Sequence, residues 1–177
     1  MILGNFSHIL QGILSMAFIA TKISLPDHGS MEAKMAARFE VSEVIDRSVD
    51  KVFDFFARAH NRNHPRWDPD IELWLDSEVP LQTGTVIHRR NSRSGTPVEG
   101  TIEVTEFEPD RVFATVIHDG PMEMRSRTLF EPTGADQTKL TMLVDIPSMD
   151  ENMDKSFLTG RMQRSTQNIK QLIESEM

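Results

Sequence analysis

Two periodicities divide this chain. From Ile71 to Ile146, apolar and polar residues alternate with a period of two, interrupted at short intervals by turn-forming residues. The alternation predicts six strands, over residues 71–78, 84–91, 97–107, 111–118, 122–131 and 137–146. Between them stand Gln82-Thr-Gly84, Ser94-Gly95, Glu108-Pro-Asp110, Asp119-Gly-Pro121 and Thr133-Gly134, which suit tight turns. Connections this short imply an antiparallel meander. A further strand is expected over residues 39–46, where Phe39 and Val41 alternate with polar partners ahead of Val44 and Ile45.

Helical spacing flanks the strands. Val49, Val52, Phe53 and Phe56 recur at i, i+3, i+4 and i+7 behind Ser48, an N-cap residue type, with Asp50 in the first turn. Pro65-Arg-Trp67-Asp-Pro69 follows and is expected to break the helix. Near the C-terminus, Leu158, Met162, Ile169, Leu172 and Ile173 mark a long helix ending near Glu174. Its start is expected at Ser148-Met-Asp-Glu151, a capping-box pattern directly after Pro147.

The first residues follow neither scheme. Residues 1–21 contain no Lys, Arg, Asp or Glu, and Ile2, Phe6, Ile9 and Ile13 recur at helical spacing. The segment lacks the basic n-region of a secretory signal. Asn5, His8 and Gln11 argue against a membrane span. Residues 1–37 are therefore expected to be an amphipathic extension with a linker, outside a domain of residues 38–177. Membrane contact is expected only through that extension, and the domain is expected to be cytoplasmic.

Composition narrows the function. The chain has 177 residues, enough for one domain with a real core. It has no cysteine, which removes zinc–thiolate sites, iron–sulfur clusters and thiol nucleophiles. A formal charge of −8 speaks against nucleic acid as a partner. Arg89, Arg90 and Arg93 form the longest basic cluster and read as a solvated hairpin loop. No G-x-S-x-G elbow, phosphate-binding loop, dinucleotide fingerprint or H-E-x-x-H motif is present, and no cofactor is expected.

The order of elements, together with four local motifs, resembles the helix-grip fold of the START-like superfamily. This is the polyketide cyclase/dehydrase and lipid-transport group, also called SRPBCC, with a Bet v 1-like architecture. Ser48-Val-Asp-Lys-Val-Phe-Asp54 resembles its opening helix, Pro65-Arg-Trp-Asp-Pro69 its W-x-P turn and Gln82-Thr-Gly-Thr85 its G-T turn. Val104-Thr-Glu-Phe-Glu-Pro109 resembles its strand end. Ala135-Asp-Gln-Thr138 departs from the G-G-T turn that many members carry. The resemblance implies an α+β domain in which about seven antiparallel strands wrap a long C-terminal helix. It also implies a cavity that holds a small hydrophobic or amphipathic molecule: a lipid, a polyketide or an aromatic metabolite.

The residues expected to face such a ligand are Trp67, His118, Met122, Met124, Met142, Met153, Phe157 and Arg161. Met122 and Met124 share a strand face with Ser126, Thr128 and Phe130, opposite Glu123, Arg125 and Arg127. Met142 shares one with Leu140, Val144 and Ile146. These methionines suit either a packed core or an adaptable cavity wall. Trp67 either caps the core or contacts ligand at the mouth. Arg161 either meets an anionic head group or lies on the surface. His118, and less firmly His88, are the candidates for proton transfer. His60 and His64 are spaced as i, i+4, with Asp68 or Asp70 as the only nearby third ligand, and read as exposed side chains with no metal. Three readings thus stand side by side: a binding module, a cyclase, dehydratase or hydrolase using a cavity histidine, and an interaction module with a filled core.

Overall fold

The structure, a computed structural model, describes residues 36–150, 152 and 154–177. The expected N-terminal extension therefore lies outside the described residues as far as residue 35, and so do Glu151 and Met153.

Seven strands form one antiparallel sheet: β1 (Ala36–Ile45), β2 (Ile71–Trp74), β3 (Val86–Asn91), β4 (Val98–Glu108), β5 (Val112–Asp119), β6 (Met122–Gly134) and β7 (Gln137–Asp150). Strands two to seven follow one another as a meander, and β1 pairs with β7, giving the order β1-β7-β6-β5-β4-β3-β2. Register shifts at Val104/Glu106 in β4 and at Ala36/Ala37 in β1 mark bulges, which bend strands and let the sheet curl. α1 (Val49–Phe53), a π turn (Asp54–Arg58) and α2 (His60–Trp67) connect β1 to β2, and α3 (Ser156–Glu176) follows β7. The helix-grip architecture implied by the motifs is the fold observed.

The apolar stripes explain how the helices dock. Val52, Phe53 and Phe56 are buried, and Phe53 meets Phe107 and Phe130 edge-on at 5.3 and 5.1 Å. Ile169 and Ile173 of α3 are fully buried in the same cluster, each worth about 1.5–3 kcal/mol of apolar burial. A second, smaller cluster of Ala37, Phe39 and Ile146 takes Met124, Val144, Leu158 and Met162 against it.

Several boundaries differ from expectation. β1 begins at Ala36 and buries Ala37, so the folded part starts within the segment expected to be an extension up to residue 37. The long helix begins at Ser156, not at Ser148, because β7 continues through Pro147 and Ser148 to Asp150, which pairs with Ala36 of β1. Ser148, Met149 and Asp150 of the capping-box spelling thus lie in a strand. The N–H of Ser156 is instead accepted by Asp154 Oδ1 at 2.9 Å. Pro65 lies inside α2 rather than ending it, and the helix runs only two residues further, to Trp67. β2 stops at Trp74 instead of reaching residue 78.

Candidate functional site

A pocket of about 490 Å³ opens on the concave side of the sheet, bounded by β-strand side chains, α2 and α3. That volume lies in the range of pockets that take a drug-sized ligand. Its wall has two chemically distinct parts.

The apolar part follows strand alternation. Met122 and Met124 on β6, Met142, Val144 and Ile146 on β7, and Leu158 and Met162 on α3 all line it. The inward face of β6 carries Met122, Met124, Ser126 and Thr128, while Glu123 and Arg125 pair with each other on the outer face. The methionines of strands and helix therefore converge on one space, apart from Met153, which lies outside the described residues. Trp67 also lines the pocket, 4% exposed and stacked on Phe56 at 5.3 Å and 8°. Its carbonyl accepts from Asn168 Nδ2 at 3.2 Å, which ties α2 to α3. Arg161 lines the pocket from α3.

The remaining expected residues lie elsewhere. His118 is exposed and does not face the pocket. The β5–β6 turn pairs Asp119 with Met122, so Phe113, Thr115, Ile117 and Asp119 point inward and His118 points out. His88 is also on the outer face, stacked on Trp74 at 5.6 Å with Asp76 3.2 Å from its Nε2. Phe157 is 69% exposed on the first turn of α3 and does not line the pocket.

In their place the pocket collects polar groups that the sequence reading left in solvent. Arg89 is 2% exposed, next to the fully buried Ile102 and Ile87 of the same sheet. Its Nε lies 3.0 Å from Asp119 Oδ1. Neither atom makes a hydrogen bond, because the pair is close but poorly aligned. Asp119 Oδ2 accepts from Asn91 Nδ2 at 2.8 Å. Arg93 swings back from the β3–β4 hairpin to pair with Asp68. Only Arg90, paired with Glu72 and Glu99, fits the solvated reading. Strand alternation accounts for the split: Ile87, Arg89 and Asn91 share the inner face, His88 and Arg90 the outer.

His60 and His64 are the second group. The π turn disturbs the helical hydrogen-bond ladder, with Ala59 N–H reaching back to Asp54 O at 3.1 Å. Two carbonyls are then taken by side chains: Phe55 O accepts from Asn63 Nδ2 at 2.8 Å, and Phe56 O meets His60 Nδ1 at 2.9 Å. A carbonyl only accepts, so His60 carries its proton on Nδ1 and leaves Nε2 as a lone pair. His64 Nδ1 lies 3.0 Å from that nitrogen and donates to it. The relay therefore leaves His64 Nε2 as a lone pair in the pocket wall. Burial pushes the His60 pKa down to about 4, helped by the nearby Arg89 charge. His64 is pushed well below its ordinary value by burial first, then by His60, Arg89 and Arg93. Both rings are neutral at pH 7. Among the described residues, no group of three His, Cys, Asp or Glu is placed to hold a metal. Also among them, no helix is long and apolar enough to cross a membrane.

Comparison with known proteins places this architecture. The family of polyketide cyclase / dehydrase and lipid transport proteins matches residues 36–174. Among solved structures, Ara h 8.0201 superposes with a TM-score of 0.62 at 12% identity, over 80% of this chain and 99% of its own. A START superfamily protein from Mycobacterium smegmatis gives 0.62 at 13%, over 79% and 99%. The Zhui aromatase/cyclase from Streptomyces gives 0.59 at 14%, over 80% and 93%. At such identities the likeness concerns the fold alone. None of the curated proteins compared matches the sequence.

Proposed function

We propose that this chain, which belongs to the polyketide cyclase / dehydrase and lipid transport family, binds a small amphipathic molecule in the pocket between sheet and α3. The observation that carries the reading is the division of one pocket of about 490 Å³ into an apolar wall and a polar end. Apolar surface of the ligand would be buried against Met122, Met124, Met142 and Ile146, and the flexible thioethers adapt to varied shapes. The polar end supplies the few convergent groups that orient a ligand. A core filled by its own side chains, the interaction-module reading, leaves such a pocket unexplained. Native mass spectrometry of protein purified from its source tests the proposal. The expected result is a bound species that dissociates as a small organic molecule. Protein that stays free of adducts, and binds no apolar probe added to it, overturns the reading.

A second reading, acid/base catalysis, is favoured by the His60–His64 relay. The His60–His64 contact at 3.0 Å leaves one ring nitrogen of a neutral His64 as a hydrogen-bond acceptor, a position from which a general base could act. This moves the enzyme hypothesis from His118 and His88, which face away, to His64. Wild-type and His64→Gln protein expressed in one host separate the two readings. Bound molecules of identical mass and identical fragmentation support binding alone. Equal mass with altered fragmentation supports a cyclase, a wild-type ligand lighter by one water a dehydratase, and one that has gained water and lost a fragment a hydrolase.

A further inference from the structure

The polar end of the pocket carries more positive than negative charge. Arg89, Arg93 and Arg161 line it, against Asp68 and Asp119. The two histidines do not alter the balance, because burial keeps them neutral. The guanidinium of Arg161 has no ion-pair partner among the described residues, and it lies close enough for its charge to press on Arg93. Nε of Arg89 and Nε of Arg93 are both buried without a hydrogen bond. A guanidinium taken from water is unfavourable unless its charge and donors are answered. Asp119 stands against Arg89 and Asp68 against Arg93, so it is Arg161, on the pocket wall with no ion pair among the described residues, that calls for an acceptor the chain itself does not supply.

The chemistry of that acceptor can be narrowed. A planar carboxylate accepts two parallel N–H donors from one guanidinium, which suits Arg better than any other side chain. A doubly charged phosphate brings one charge more than the single excess cation offsets. It would also lie beside Asp68 and Asp119, which repel it. A neutral head group leaves the excess charge uncompensated. Resting on the pocket reading above, we propose that the ligand is an apolar monocarboxylic acid: its carboxylate sits among Arg89, Arg93 and Arg161, and its chain or ring system lies along the methionine wall. His64 Nε2 then accepts from a hydroxyl or other donor near the acid group, so the geometry favours a hydroxy acid over a plain one.

Displacement of the neutral fluorophore N-phenyl-1-naphthylamine by three matched ten-carbon amphiphiles tests this: decanoate, decanol and decyl phosphate. The expected order has decanoate displacing the probe at least roughly ten-fold more tightly than decanol, the usual size of a charge-assisted hydrogen bond. Decyl phosphate is expected to fall below decanoate. Arg161→Gln, on a half-buried position that does not hold the core together, should reduce the decanoate advantage by about ten-fold and leave decanol unchanged. Equal binding of decanoate and decanol, or a preference for decyl phosphate, overturns the carboxylate assignment while the pocket reading stands. Retention of the full decanoate advantage in Arg161→Gln and also in Arg93→Gln overturns it too. Failure of the probe to bind wild-type protein, by contrast, removes the pocket reading itself.

Discussion

Gly100 on β4 lies against Asp119 on β5 so closely that a Cβ on it would stand 2.8 Å from Asp119 Oδ1. The same Cβ would be 2.0 Å from the carbonyl oxygen of His118. The absence of a side chain on one strand thus lets the carboxylate of its neighbour reach Arg89. Gly100→Ala must push two paired strands apart at this point. We expect a loss of about 1–3 kcal/mol in urea unfolding, with the pocket's polar end displaced. An unchanged unfolding midpoint would show that the sheet relaxes freely here.

Asp119 is the counter-charge for a guanidinium that water barely reaches. Asp119→Ala leaves Arg89 buried and uncompensated, and the expected cost is about 3–5 kcal/mol. The double variant Arg89→Leu with Asp119→Leu removes both charges and should recover most of that loss. If the losses of Arg89→Leu and Asp119→Leu, each measured alone, simply add in the double variant, the charges do not interact and the ion pair at 3.0 Å contributes nothing.

The methionine wall invites a space-filling test. Met124→Trp should occupy the pocket and abolish binding of N-phenyl-1-naphthylamine while the fold persists, as far-ultraviolet circular dichroism would report. A packed core at this position would instead be overfilled and lose roughly 1–3 kcal/mol. A folded variant that still binds the probe at full strength would remove Met124 from the site.

The buried histidine gives the protein a pH dependence of definite sign. An unfolded imidazole takes up a proton near its model value of 6.5, whereas His60 in the folded chain does so only near 4. Between those values the unfolded chain holds more protons, so stability falls as the pH falls. The contribution is fully present above pH 6.5, is lost progressively toward pH 4 and levels off below it. Its total size is on the order of 3 kcal/mol, and His64 acts in the same direction. Chemical denaturation at pH 7 and pH 5 should show the loss, and His60→Gln should flatten it. A wild-type slope in both His60→Gln and the double variant His60→Gln with His64→Gln would assign the dependence to carboxylates.

The strands and the main helices were legible because their periods differ, and no tertiary information is needed to tell alternation from a repeat of three and four. The methionine faces were legible for the same reason. His118 was misplaced because a hairpin's register hangs on which residues close its turn. Pairing Asp119 rather than His118 with Met122 reverses the whole of β5. Arg89 had a signal, its alternation with Ile87, but a buried arginine makes sense only once Asp119 arrives from β5. His60 and His64 have one too, at four-residue steps from Phe56, but it is hidden in a polar segment of a kind that is ordinarily solvated. The false start at Ser148 shows the opposite failure: a capping sequence is necessary chemistry for a helix end, but a strand with an available partner in β1 overrides it.

The π turn at Asp54–Arg58 sets the phase of everything after it. A wide turn takes more residues per revolution than an α turn, so the four-residue steps from Val52 through Phe56 to His60 and His64 stay in line instead of drifting round the helix. Shortening that segment by one residue would restore ordinary winding and rotate α2 by about 100° against the sheet. The apolar wall would survive, while both imidazoles and the Trp67 ring would turn away from it. The single extra residue acts as a clutch between a binding surface and its chemistry.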